Sequence, residues 1–191
     1  MRISYMRTSV SIISIITIIS AFAVSGNVLH AQGAPSTALP VVKVKTPDGK
    51  VVSTSTFRND GKPIIVNFWA TWCSPCKQEL NAIATMYEEW QIETGVKLIA
   101  ISIDDARNSP KVAPFIKGRN WPFEVYIDEN SDFKRALNVN EIPHTFILNG
   151  KGEIVSQHKS YAPGDELSVF EEIKKIVAED ASKTSQPDEK K

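Results

Sequence analysis

The feature that most constrains this chain is the hexapeptide Trp72-Cys73-Ser74-Pro75-Cys76-Lys77, which carries both of its cysteines. An apolar run, Ile64-Ile65-Val66-Asn67-Phe68-Trp69, precedes the pair, and an amphipathic pattern follows it. In that pattern Cys76, Leu80, Ile83, Tyr87 and Trp90 recur at steps of four and three, which is one face of a helix. A buried strand that delivers two thiols to the first turn of a helix is a redox design. The unpaired N–H groups and the positive dipole end of the helix favour a thiolate over a thiol. Cys73 is therefore the expected nucleophile, and Cys76 stands within reach to resolve what Cys73 attacks. Pro75 suits the first helical turn, where a missing N–H costs little. Gly95 marks the helix end.

The remaining pattern alternates strands and helices. Residues 41–45 and 51–52 flank the turn Pro47-Asp48-Gly49-Lys50 and predict a hairpin. Residues 59–63 form a second turn, followed by the buried strand at 64–70. Another buried strand is predicted over 96–103. A helix follows over 108–118, with Pro110 near its start and Pro114 inside it. Residues 123–127 read as a strand and 131–137 as a short helix. Residues 144–148 and 153–158 form strands around the turn Asn149-Gly150-Lys151-Gly152. A terminal helix over 165–178 directs Leu167, Phe170, Ile173, Ile176 and Val177 inward. This order predicts an α/β fold on a central sheet, made mixed by the closing hairpin. The domain spans 41–179, after a small, polar, proline-bearing linker at 32–40. Residues 180–191 lack apolar periodicity and are expected to form a flexible polar tail.

Residues 1–31 read as a leader. Arg2 and Arg7 give a basic start, and an apolar run of about 15 residues follows. Ala21-Phe22-Ala23 resembles a peptidase site, with Ala31-Gln32 a later candidate. A run of about 15 residues falls short of the roughly 20 that cross a bilayer. A cleaved signal peptide is the expectation and an uncleaved inner-membrane anchor the alternative, either of which places the domain in the periplasm. The chain carries 22 basic and 22 acidic residues. Without Arg2 and Arg7, 20 basic residues face 22 acidic ones. So small a net charge implies no attraction to nucleic acid or to an anionic membrane surface. An exported structural scaffold would carry more cysteines at wider separations. Two cysteines in one motif point to chemistry.

The Cys-x-x-Cys pair after the first central strand, within this order of elements, resembles the thioredoxin superfamily. The segment Asn67-Phe68-Trp69-Ala70-Thr71-Trp72-Cys73-Ser74-Pro75-Cys76 is most similar to the exported TlpA/ResA-like thiol–disulfide oxidoreductases. The resemblance implies a three-layer thioredoxin-like fold with an N-terminal β-hairpin extension. It also implies an inserted αβ element, matched at about 108–139 with Trp121-Pro122-Phe123. Glu141-Ile142-Pro143-His144-Thr145-Phe146 falls where that family carries its cis-proline loop. A cis Ile142–Pro143 bond would let Ile142 present its backbone to an extended client peptide. Asn67 stands where cytosolic thioredoxins have a buried Asp, and it relays no proton. Glu79, one helical turn after Cys76, occupies the position of a glutamate that members use instead. His144 replaces a common threonine, and its imidazole is expected near the sulfurs. Trp72 is expected part-exposed, as the apolar rim of the site, and Trp69 in the core.

The resemblance implies an exported protein-disulfide reductase that works by dithiol exchange and needs no cofactor. Its expected partners are client proteins with disulfides, among them apocytochrome c, and a membrane thiol-electron donor of the DsbD or CcdA type. A disulfide oxidase or isomerase on the same fold is the alternative, because the Ser74-Pro75 dipeptide leaves the reduction potential open. An adaptor or metal-binding module is a further alternative. It would join the two cysteines to His144 and His158, although that histidine spacing is loose for zinc.

Overall fold

In a computed structural model, residues 37–184 are described. The expected leader, most of the expected linker and residues 185–191 lie outside the described residues. Eight strands form one mixed sheet. In chain order they are β1 (Thr37–Ala38), β2 (Lys43–Lys45), β3 (Val51–Ser53), β4 (Ile64–Trp69), β5 (Lys97–Ser102), β6 (Glu124–Ile127), β7 (His144–Leu148) and β8 (Glu153–Lys159). Four α-helices accompany them: α1 (Ser74–Thr94), α2 (Val112–Arg119), α3 (Asp132–Ala136) and α4 (Asp165–Thr184). The spatial order of strands is β1-β8-β7-β4-β5-β6-β2-β3. β4 lies at the centre, parallel to β5 and antiparallel to β7.

All six residues of β4 are buried, because helices and loops cover both sheet faces. On one face Ile65 and Trp69 pack with Leu80, Ile83 and Trp90 of α1, Val112 of α2, and Phe170 and Ile173 of α4. On the other, Val66 and Phe68 pack with Phe133 of α3, Phe57 and Phe146. This is the three-layer, thioredoxin-like α/β fold, with β2–β3 as the hairpin extension and α2–β6 as the inserted element. The hairpin joins the sheet edge through Lys45 opposite Ile127.

α1 begins at Cys73, whose sulfur caps the Cys76 N–H, and carries Pro75 in its first turn. It ends at Gly95 in the left-handed region (φ 67°), whose N–H returns to the Gln91 carbonyl at 2.9 Å. The inserted helix is shorter than the 108–118 span predicted. A 3₁₀ turn at Ser109–Lys111 holds Pro110, and α2 starts at Val112. Pro114 then falls in the first α-helical turn, where its missing N–H breaks no intrahelical bond.

Four expectations are corrected at the chain's margins. Thr37–Ala38, inside the expected linker, form an edge strand on β8, and Leu39 packs against the core. α4 runs to Thr184 rather than ending at 178, so residues 180–184 of the expected tail are helical. The Asp180 carboxylate accepts the Gly150 N–H at 3.0 Å, which ties that last stretch to the β7–β8 turn. The inward face of α4 is Val169, Phe170, Ile173 and Ile176, while Leu167 is exposed and Val177 half-buried. Leu167 stands two residues before Val169, about 200° round a helix of 3.6 residues per turn, and so faces away. Among the described residues, no helix is long and apolar enough to cross a membrane.

Candidate active site

The site forms where β4 ends and α1 begins. Trp69 closes the strand inside the core, against Phe115 and Trp121. Ala70-Thr71-Trp72 then turn the chain outward, and the turn is anchored from β5. The Thr71 N–H and hydroxyl both donate to the Asp104 carboxylate, at 2.8 and 2.6 Å. The Ser102 hydroxyl donates to the same group at 2.7 Å. Asp104, fully buried, is thus the acceptor for three donors. No local pattern in the sequence marks it as an anchor.

Cys73 and Cys76 are joined in a disulfide, with Cα atoms 5.4 Å apart. Cys73 Sγ accepts the Cys76 N–H at 3.3 Å, which places it at the positive end of the 21-residue helix α1. Cys73 retains 4% exposure and Cys76 none. Of the two sulfurs, Cys73 is therefore the one an incoming molecule reaches. Trp72, 61% exposed, stands beside it as an apolar rim, and Pro75 is exposed on the same turn.

The opposite wall is the loop before β7. The Ile142–Pro143 bond is cis, and Ile142 O lies 4.0 Å from Cys73 Sγ. In the disulfide this is a contact only, since the sulfur carries no proton. The Ser160 N–H donates to Pro143 O at 3.0 Å and fixes the loop from the end of β8.

One helical turn after Cys76, α1 contributes to a polar cluster inside the core. Glu79 is 3% exposed. Its Oε1 accepts the Thr145 hydroxyl at 2.9 Å, and its Oε2 accepts Asn67 Nδ2 at 2.9 Å. Asn67 Nδ2 also donates to Thr145 Oγ1 at 2.8 Å. Burial pushes the Glu79 carboxyl up to about 7, against the pull of those two hydrogen bonds. The group thus holds its proton far more tightly than an ordinary carboxyl, one helical turn from Cys76. Asn67 and Glu79 stand out in the sequence and Thr145 does not. Only the register of Asn67 opposite Thr145 reveals it.

His144 departs from expectation. It pairs across the sheet with Phe68, so its side chain leaves the face opposite α1. There it stacks on Phe146, with centroids 4.4 Å apart, and its Nε2 meets Gln157 Oε1 at 3.0 Å. Burial holds its imidazole below the ordinary range. The physical reason is strand alternation: the residue after Pro143 takes one face and Thr145 takes the other, beside Glu79. His158 pairs with Thr145, so the two histidines leave opposite faces. A site of two cysteines and two histidines does not assemble in this arrangement.

The chain is similar in sequence and fold to known proteins. The model of the AhpC/TSA family matches residues 34–157. The chain is 33% identical over 119 residues to sporulation thiol-disulfide oxidoreductase A of Bacillus subtilis (strain 168), covering 61% of this chain and 70% of that protein. It is 30% identical over 130 residues to the thiol-disulfide oxidoreductase ResA of Bacillus thuringiensis subsp. konkukian (strain 97-27), covering 68% and 71%. Its fold is similar to the solution structure of an uncharacterized thioredoxin-like protein from Porphyromonas gingivalis. There the TM-score is 0.67 and the identity 48%, over 74% of this chain and 92% of that one.

Proposed function

The chain belongs to the AhpC/TSA family and is a thiol–disulfide oxidoreductase of thioredoxin fold, and on that premise we propose that it reduces disulfides in client proteins outside the cytoplasm. The observation that carries the reading is the Cys73–Cys76 pair at the tip of α1, between the Trp72 rim and the cis Ile142–Pro143 loop, with buried Glu79 one helical turn further along α1.

In the reduced protein the Cys73 thiolate attacks one sulfur of a client disulfide. The client S–S bond breaks, one client sulfur leaves as thiolate, and Cys73 is joined to the other. Cys76 then gives its proton to the Glu79 carboxylate and attacks the Cys73 sulfur. The mixed disulfide breaks, the second client thiolate leaves, and the Cys73–Cys76 disulfide forms. Two electrons have passed from this protein to the client. The helix N-terminus steadies the Cys73 thiolate before attack and favours it as leaving group afterwards. Ile142 offers its backbone to an extended client segment beside the sulfurs.

The disulfide must be reduced again by an outside thiol. We assign that step to a membrane thiol carrier of the DsbD or CcdA type. Apocytochrome c cysteines are the proposed client class. The apolar, basic-flanked start of the sequence supports export, as cleaved leader or as anchor.

The deciding experiment is the standard potential of the Cys73–Cys76 couple, equilibrated against glutathione. A reductase gives a value near that of thioredoxin, about −270 mV. A value near about −120 mV, as in strong oxidants, overturns the direction and makes the protein an oxidase.

A further inference from the structure

His158 has no place in the steps described above, yet it lies beside the polar cluster. It lies on β8 directly opposite Thr145 of β7, and the Thr145 hydroxyl donates to Glu79 Oε1 at 2.9 Å. Directly opposed residues of antiparallel strands share a face, with Cβ atoms about 5 Å apart. His158 therefore sits on the helix-covered face, one strand outward from Thr145. From the outside, α4 supplies Glu172, whose Oε2 meets His158 Nε2 at 2.7 Å. The side chains of this pair keep 36% and 32% exposure. His158 is open to water, whereas Glu79 is sealed.

The charges facing Glu79 come from several elements. Asp165, at the start of α4, disfavours its ionisation, and the charge of His158 favours it. Tyr161, in the loop between β8 and α4, lies within the field of Glu79 and donates its hydroxyl to Glu166 Oε2 at 2.8 Å. β4 and β7 contribute the neutral donors Asn67 and Thr145. Of these groups only His158 can carry positive charge, and imidazole is the side chain whose charge ordinarily changes near neutral pH.

We propose that His158 is a positioning residue of the exchange reaction, acting through Glu79. Oriented by Glu172 on the face it shares with Thr145, its charge decides whether the buried carboxylate is free to take the Cys76 proton. With His158 protonated, Glu79 is held ionised and receptive. With His158 neutral, Glu79 holds a proton more tightly and is a poorer acceptor. The half-exposed imidazole thus lies between solvent and the sealed carboxylate. This rests on the reading that Glu79 accepts the Cys76 proton.

The test compares the unaltered protein with His158→Gln, which removes the charge, and His158→Lys, which makes it permanent. The side-chain carboxyl ¹³C shift of Glu79 is followed across pH in the oxidised protein. Release of a disulfide-bearing client peptide from Cys73 is followed across pH in the reduced protein. H158Q is expected to move the Glu79 midpoint up, by about half a pH unit. H158K is expected to move it down and to restore fast release above neutrality. Coincident midpoints in the three proteins overturn the proposal, as does slowed release without a midpoint shift. If the unaltered protein exchanges with no disulfide peptide, the reductase reading fails instead, and the carboxyl midpoints still decide the role of His158. Should H158Q fail to fold, the midpoint of the lysine variant against that of the unaltered protein decides the same question above neutral pH.

Discussion

Asp104 and Thr71 are joined twice, backbone N–H to Oδ2 and hydroxyl to Oδ1. The pair clamps the end of β5 to the turn that carries Cys73. Asp104→Ala removes the acceptor of three donors, one of them buried and two part-buried. Hydrogen bonds to a charged group are worth about 1.5–3 kcal/mol each, and orphaned donors add their desolvation. A loss of about 3 kcal/mol is expected in urea unfolding of the oxidised protein. Asp104→Asn, which keeps an acceptor for the Thr71 N–H, loses less. Equal stability of the alanine variant would show that the clamp holds nothing.

Stability depends on pH through Glu79. Its folded value of about 7 lies above the ordinary 4.5, so between those limits the folded state binds more protons than the unfolded chain. The stability this group contributes is therefore fully present below pH 4.5 and is lost as pH rises to 7. At roughly 1.4 kcal/mol per pH unit the full change is of order 3 kcal/mol. Urea midpoints of the oxidised protein should fall from about pH 5 to about pH 8, and Glu79→Gln should flatten that slope. A slope unchanged in the variant places the titration on another group.

Glu79→Gln should also separate the two chemical steps. Attack by Cys73 on a client is expected to proceed at its usual rate. Release by Cys76 slows about 100-fold, the lower range for loss of a general base. Acid-quenched mass spectrometry would then catch the mixed disulfide accumulating. Slowing of the first step alone would remove Glu79 from the proton path.

Cys76→Ala should trap clients on Cys73 as stable mixed disulfides, resolved on non-reducing gels. Cys73→Ala should trap none. If client turnover persists in the Cys76 variant while Cys73 stays unlinked, the assigned order of attack is wrong.

Trp90 and Phe170 stack face to face at 4.9 Å and join α1 to α4. Trp90→Ala opens a cavity between α1 and α4, at a cost of about 4 kcal/mol. Calorimetry of the oxidised variant checks this, and a change under about 1 kcal/mol would show that the helices close the gap.

The core of this fold is legible because its signals are local. An uninterrupted apolar run needs burial on both faces, and 64–70 supplies the central strand. The strand at 144–148 and the helix from Ser74 to Gly95 follow from periodicity and end signals alone. Cys73 and Cys76 are visible from spacing. The polar cluster is half visible: Glu79 lies one turn from Cys76, a helical relation, but its tie to Thr145 depends on cross-strand register. Periodicity carries no information about which residue faces which across a sheet. The same gap misplaces His144, because the face taken by the residue after Pro143 is decided by its pairing with Phe68. Asp104 gives no local signal, since its donors on Thr71 lie 33 residues earlier. Leu167 misleads because an apolar residue in a first turn fits more than one helical stripe.

The exposure of Trp72 has a practical consequence. The chain has four tryptophans. Trp69 and Trp90 are sealed, Trp121 is half-buried with its indole N–H on Asn81, and Trp72 stands open beside the sulfurs. Collisional quenching of fluorescence by acrylamide will therefore act mainly on one indole. A client that docks as proposed is expected to shield that indole and restore its emission, an optical signal that requires no label.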